Sequence, residues 1–208
     1  MQILINFCRL FILKNIENKA FLYVPFNKTV PFMKFNSRLA NSEDIPAIKR
    51  LMEQSIKGLL GSYVNQEELE ASFESMGLDD QLILDQTYFL IDFEGILVGC
   101  GGWSNRKTLF GGNHTPNRSN DFLNPNNDSA KIRAMYTHPD WARKGIGTLI
   151  LKLAEEAASN SGFKCCELMA TLSGIHLYEK RGYKTIEETI YKSKKENSVR
   201  MFRMTKFL

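Results

Sequence analysis

Gly145 and Gly147 stand two residues apart in the stretch WARKGIGTLI (Trp141 to Ile150), with Arg143 and Lys144 just before them and an apolar run after them. Glycine in a helix interior costs about 1 kcal/mol relative to alanine. A pair of glycines where a helix is about to start therefore suggests a backbone that something must approach closely. A helix N-terminus presents unpaired N–H groups and a partial positive charge, and the two cations add to it. A phosphate, and a pyrophosphate in particular, suits such a cradle. A tight turn with flanking surface cations is the competing reading of Gly-x-Gly alone. Other phosphate and catalytic signatures are missing. Position 150 is Ile rather than the third glycine of a dinucleotide fingerprint, and no P-loop, HExxH helix or GxSxG elbow occurs.

The elements that must position this cradle follow from periodicity and punctuation. FNSRL, Phe35 to Leu39, alternates weakly as a first strand. Ser42 offers a helix cap, followed by Glu43, Asp44 and Pro46, and Ile45, Ile48, Leu51, Met52, Ile56 and Leu59 recur at helical spacing. Leu69, Phe73 and Met76 predict a second helix closed by Gly77. TYFLIDF and GILVGCGGW read as a hairpin turning at Glu94-Gly95. A polar segment, Ser104 to Ser129, comes next and is long for a connection without structure. KIRAMYTH is a strand ended by Pro139, and Ile146, Leu149, Ile150, Leu153 and Ala157 form a helix stripe stopped by Gly162. CCELMA is a strand, GIHLYEKRG a short helix ended by Gly182, and SVRMFRMTKFL a last strand. Hairpin first and helix–strand alternation later predict a mixed α+β domain.

The whole chain has 208 residues, enough for one domain with a proper core. Its net charge of +4 is concentrated before residue 34, where Arg9, Lys14, Lys19 and Lys28 face only Glu17. The nearly neutral remainder argues against a nucleic-acid surface. Residues 1–33 begin with an apolar stretch too short to span a bilayer, so no membrane partner is expected and this segment is set apart as an extension of unassigned role. Cys8, Cys100, Cys165 and Cys166 lack CxxC spacing, so no zinc or other metal site is expected, and reduced thiols predict a cytoplasmic protein.

AMYTHPDWARKGIGTLILKLAEEAASNSGF followed by HLYEKRGY resembles the GCN5-related N-acetyltransferase (GNAT) superfamily: a strand, a Gly-x-Gly loop opening a helix, a later strand, and a Tyr-Glu-Lys-x-Gly-Tyr turn. The likeness runs from Phe35 to Leu208 and is strongest from Ile132 to Tyr183. It implies the GNAT fold over 34–208, with a central mostly antiparallel sheet splayed at the acetyl-CoA-binding strands and flanked by helices. It implies acetyl-CoA as donor, its pyrophosphate on the backbone of Arg143, Lys144, Gly145, Ile146, Gly147 and Thr148. Its pantetheine would lie along Met135, Tyr136 and Thr137 like an added strand. Two positions depart from the family pattern. Ala142 stands where Gln or Arg is usual. Thr171 stands where Asn often lies, and its hydroxyl is a narrower partner for pantetheine.

The resemblance implies transfer of an acetyl group to a primary amine of a small molecule or protein. A non-catalytic acyl-CoA sensor or interaction module is the alternative, and the resemblance also admits a homodimer. Transfer needs a deprotonated amine, a donor for the oxyanion and a proton for the leaving thiolate. The family pattern assigns the oxyanion to a strand N–H near Met135 and the thiolate to Tyr178. The strand glutamate that serves many relatives as base is replaced by Lys131 and Arg133, leaving Asp92, Glu94, His114, His138 and His176 as candidates. The stretch Gly101 to His114 is the expected acceptor site, with Trp103, Arg106, Phe110 and His114 as contacts, and with Arg106 and Lys107 able to favour an acidic acceptor.

Overall fold

A computed structural model describes residues 34–116 and 118–208. The expectations for residues 1–33, Cys8 among them, lie outside the described residues. The chain opens with β1 (Asn36–Leu39), a 3-10 turn at Ser42–Asp44 and α1 (Ile45–Ser55), which runs into a π-helical turn at Ile56–Leu60. Asn41, not Ser42, caps this start. Its extended backbone lets its side chain accept from the Glu43 N–H at 2.8 Å, while the Asp44 carboxylate accepts from the Asn41 N–H at 2.9 Å. Asn65 and Glu68 make the same reciprocal cap for α2 (Gln66–Ser75). Extended Met76 ends that helix, one residue ahead of the expected Gly77. A short α3 (Asp80–Leu84), unmarked by periodicity, precedes β2 (Tyr88–Phe93) and β3 (Ile96–Ser104). Glu94 and Gly95 both have positive φ, 50° and 82°, the left-handed pair that a two-residue hairpin needs.

Next come β4 (Ala130–Thr137), a 3-10 turn at Pro139–Trp141, α4 (Ile146–Asn160), β5 (Cys165–Ala170), α5 (Ile175–Lys180), β6 (Lys184–Lys192) and β7 (Ser198–Phe207). The seven strands form one sheet in the order β1-β2-β3-β4-β5-β7-β6. Every pairing is antiparallel except β4 with β5. Tyr88, Leu90, Cys100 and Tyr136 face α1 and α3 on one side. Ile91 and Val98 face Ile146 and Ile150 of α4 on the other. Helix α4 lies directly on β3 because Gly99 and Gly101 carry no side chain there. A Cβ at Gly99 would fall 2.3 Å from Ile146 Cγ2, and one at Gly101 2.8 Å from Ile150 Cγ2. Among the described residues no helix is long and apolar enough to cross a membrane.

The expected splay is present. Parallel strands β4 and β5 pair only at Ala130 with Cys166 and at Lys131 with Glu167. The Lys131 ammonium meets the Glu167 carboxylate at 2.5 Å where they begin to part, and Arg203 of β7 binds the other oxygen. Beyond that point the edge of β4 faces a cleft.

Candidate active site

One wall of the cleft is a bulge in β4. One residue of β3, Gly101, lies between the pairs Cys100–Tyr136 and Gly102–Arg133, where β4 has two, Met135 and Ala134. The extra residue is accommodated at Ala134, whose φ of 51° is rare for a residue with a side chain. The Ala134 carbonyl accepts a 2.8 Å hydrogen bond from the buried Tyr88 hydroxyl. After the bulge, Tyr136 turns its ring into the core, where its hydroxyl accepts from the Gly77 N–H at 3.2 Å. Its neighbour Thr137 donates its N–H to Ser55 Oγ of α1 at 3.3 Å. Of Tyr136, therefore, only backbone is available to a molecule lying along this edge.

The cradle is the start of α4, which packs against α5 where Gly147 meets Leu177. Gly145 caps the helix in the left-handed region, at φ 88°, with no side chain capping the first turn, and Arg143 also has positive φ, 65°. The first-turn N–H groups therefore lack a side-chain partner and point out of the helix end, beside the exposed Arg143 and Lys144. The loop is pinned from below. Trp141 packs on Phe93 at 4.7 Å and on Phe35 at 6.2 Å, and Lys144 Nζ sits 4.4 Å above its indole. The two glycines have different causes. A Cβ at Gly145 would meet nothing within 4 Å, so conformation selects glycine there. A Cβ at Gly147 would lie 2.9 Å from Leu177 Cδ2, so glycine there lets α5 close on α4. At Gly147 the missing side chain thus also makes room for the helix that carries Tyr178.

Tyr178 lines the cleft from α5, with its hydroxyl 3.7 Å from the Met135 sulfur at the bulge. Burial pushes its pKa up to about 12, so it holds its proton throughout the neutral range. Thr171 lines the same cleft and starts α5, its carbonyl accepting from the Gly174 N–H at 2.9 Å. Its hydroxyl lies 3.2 Å from Ser173 Oγ.

The long polar segment is more ordered than its sequence suggests. It folds back on itself through an Arg106–Phe122 bridge, the Lys107 N–H donating to Asp121 and the Leu123 N–H donating to Asn105. Its acceptor-site expectations divide. Phe110 lines the cleft with Leu109 and Gly111. Trp103 is buried in the core edge-to-face with Phe163, 5.9 Å between centroids. Arg106 grips Asp85 at 2.6 and 2.8 Å, donates to the Asn120 carbonyl at 2.7 Å and covers the Phe122 ring. Lys107 pairs with Asp121 at 3.1 Å. Both cations already hold carboxylates of this chain. His114 lines a separate open groove between α1 and α2, where its Nε2 meets the Phe73 and Glu74 carbonyls at 3.2 and 2.9 Å.

None of the five base candidates is among the residues lining the cleft. Asp92 lies 3.8 Å from Arg38, Glu94 forms the hairpin turn, His138 caps a 3-10 turn by accepting from the Asp140 N–H, and His176 is exposed. Glu167 is no substitute. Burial would raise its pKa, but bonds from Arg203 and Lys131 outweigh this and hold it below the usual carboxylate range. Cys100 and Cys166 are not nucleophiles, since burial pushes both thiols up to about 12.

One buried network has no warning in the sequence. Arg133 is 3 % exposed and donates to the Asp79 carboxylate at 2.9 Å and to the Thr108 and Gly111 carbonyls at 2.7 and 2.8 Å. Arg118 binds the other Asp79 oxygen. Arg133, one of the two strand positions at which the family resemblance implied a base, ties the polar segment down over the cleft.

A model of the acetyltransferase (GNAT) domain matches residues 85–185, the span from the end of α3 to the start of β6 that contains bulge, cradle and Tyr178. A comparison with curated proteins finds no match. Among solved structures, the chain is similar to a GCN5-related N-acetyltransferase from Rhodopseudomonas palustris, with TM-score 0.62 and 20 % identity over 83 % of this chain and 95 % of that one. It is similar to the PaiA N-acetyltransferase from Thermoplasma acidophilum, solved with coenzyme A, with TM-score 0.56 and 16 % identity over 85 % of this chain and 100 % of that one. A ribosomal-protein-alanine N-acetyltransferase from Brucella melitensis also has TM-score 0.56 and 16 % identity, over 83 % of this chain and 99 % of that one. At these identities the likeness is one of fold.

Proposed function

We propose that this chain, which carries a GCN5-related N-acetyltransferase domain, transfers the acetyl group of acetyl-CoA to a primary amine, and that residues 34–208 carry the activity. The observation that supports this most is the arrangement of three features on adjoining elements: the uncapped start of α4 packed on α5, a bulged strand β4 whose edge is freed where it parts from β5, and a protonated tyrosine on α5 that lines the cleft between them.

The pyrophosphate is assigned to the backbone from Arg143 to Thr148, with the Arg143 and Lys144 side chains screening its charge. The pantetheine amides are assigned to the free edge of β4 at Met135–Thr137, as an added strand, with the Thr171 hydroxyl as a further partner. The Ser55 hydroxyl, which now accepts from the Thr137 N–H, would share or yield that donor. The amine attacks the thioester carbonyl, the oxyanion is stabilised by the N–H at Met135, and Tyr178 gives its proton to the departing sulfur. The unpaired thiols of Cys100, Cys165 and Cys166 fit a reducing, cytoplasmic setting.

The test is calorimetry with acetyl-CoA, followed by release of free CoA thiol in the presence of a panel of primary amines. Saturable binding and amine-dependent thiol release are expected. Absence of binding overturns the reading. Binding without turnover on every amine would leave a sensor or interaction module instead.

A further inference from the structure

Beyond the bulge, thioethers and apolar side chains share the wall of the cleft with Ser75, Thr171 and Arg133. Met76, Leu109, Phe110, Met169 and Met201 face the space in front of Tyr178. Phe110, Met169 and Met201 pack together as one cluster with Tyr191 and Val199 of the last two strands. Thioether side chains are flexible and polarisable, and they conform to irregular apolar surfaces. The one charged side chain among the described residues of this wall is Arg133. Behind it, two guanidinium groups share a single carboxylate, since Arg133 and Arg118 both bind Asp79.

Two physical consequences bear on the acceptor. The cleft is narrow, with about 80 Å³ open to water. An ammonium entering it would leave its hydration shell behind and meet a lining that holds no carboxylate to pair with it, a costly transfer. It would also approach the Arg133 guanidinium, and like charges repel in a medium of low dielectric. An uncharged amino group on an apolar stem meets neither obstacle.

We infer that the acceptor is a weakly basic amine carried on an apolar body, an arylamine in chemical class, which enters already unprotonated and needs no base on the enzyme. This rests on the acetyl-transfer reading of the same cleft and narrows it. The amine lone pair forms the N–C bond as the C–S bond breaks. The sulfur leaves with the Tyr178 proton, and the surplus proton on the new amide nitrogen returns through solvent to the tyrosinate. The net reaction gives a neutral amide and free CoA thiol.

The experiment uses the full chain and two isomeric amines, 4-methylaniline and benzylamine, which differ in basicity but not in atom count. Acetyl-CoA binding is first measured by calorimetry, and its failure overturns the acetyl-transfer reading and this inference together. With binding established, kcat/KM at pH 7 is expected to be at least about tenfold higher for 4-methylaniline. The benzylamine rate is expected to climb about tenfold per pH unit toward that amine's own ionisation near 10, as for a substrate that only the solvent deprotonates. Equal or better use of benzylamine at pH 7, a benzylamine profile that levels off in the neutral range, or transfer to neither amine overturns the inference while leaving acetyl-CoA binding intact. Phe110→Ala adds an independent reading. It is expected to raise KM for 4-methylaniline several-fold with acetyl-CoA affinity unchanged. An unchanged KM would show that the thioether and aromatic wall does not receive the acceptor.

Discussion

The hydroxyl of Tyr88 donates to the carbonyl of Ala134 at 2.8 Å across 46 positions of chain, and so braces the one β4 residue held at positive φ. The Cys100 thiol, 3.3 Å from the same oxygen, is left to donate to it. Ala134 and Met135 at the bulge line the cleft, and this half-buried bond opposes relaxation of the bulge.

Tyr88→Phe is expected to leave the Ala134 carbonyl unpaired in the core and to cost about 1–3 kcal/mol of stability. Because the bulge would then be free to regularise, acetyl-CoA affinity and turnover should fall together. Urea denaturation and calorimetry on the same preparation test both halves. A destabilised variant with wild-type acetyl-CoA affinity would separate the brace from the site.

Gly145 and Gly147 should respond differently to substitution. Gly145→Ala places a Cβ in the left-handed region and should cost about 1–2 kcal/mol, with loss of the cradle geometry and weaker acetyl-CoA binding. Gly147→Glu adds a carboxylate to the first turn of α4, where the helix dipole favours it, but where it would repel a pyrophosphate. Its melting temperature should change little, provided Leu177 yields, while acetyl-CoA binding is lost. Retained affinity in Gly147→Glu would place the pyrophosphate elsewhere.

The cradle and Tyr178 were legible in the chain because each is a local device. Gly-x-Gly opening a helix, and a tyrosine between a strand and a glycine stop, keep their partners within a few residues. The acceptor side was not legible, because its residues are defined by partners far along the chain. Arg106 is 21 positions from Asp85 and Arg133 is 54 from Asp79, so neither pairing leaves a spacing to read. Strand β6 was missed for a different reason. Seven of its nine residues are exposed, so it lacks the alternation that marks a half-buried strand. Helix α3, at five residues, is too short to show a period.

The Arg106–Asp85 pair predicts a specific acid response. Hydrogen bonds from Arg106 lead the causes that hold the Asp85 carboxyl below its ordinary value of 3.8. A carboxylate with a depressed native pKa contributes its stability above the unfolded value and loses it as pH falls through the native one. Arg106→Gln should therefore melt lower than the wild type at pH 7, by a margin that is constant down to about pH 5 and shrinks below 3.8. The margin that remains in acid is the share of Asn120 and Phe122, whose contacts with Arg106 do not titrate. Melting curves from pH 2 to 7 test this, and a margin independent of pH would mean that the ion pair contributes nothing.

Tyr178→Phe isolates the proton. The ring would keep its edge-to-face contact with Tyr183, 5.9 Å between centroids, and only the hydroxyl facing the Met135 sulfur would go. Stability and acetyl-CoA affinity should change little, while kcat should fall by about 10²-fold if the hydroxyl protonates the leaving thiolate. The loss should appear in kcat rather than KM, because the bond strengthens only as charge reaches sulfur. The alkaline limb of the wild type carries a second check. Burial moves the Tyr178 pKa from 10.0 to about 12, so the acid form persists across that interval and is lost only above it. Wild-type kcat should therefore hold as pH rises past 10, where an exposed tyrosine would already have ionised. A decline centred at 10, or a Phe variant with wild-type kcat at every pH, would remove Tyr178 from the chemistry and leave it a packing residue.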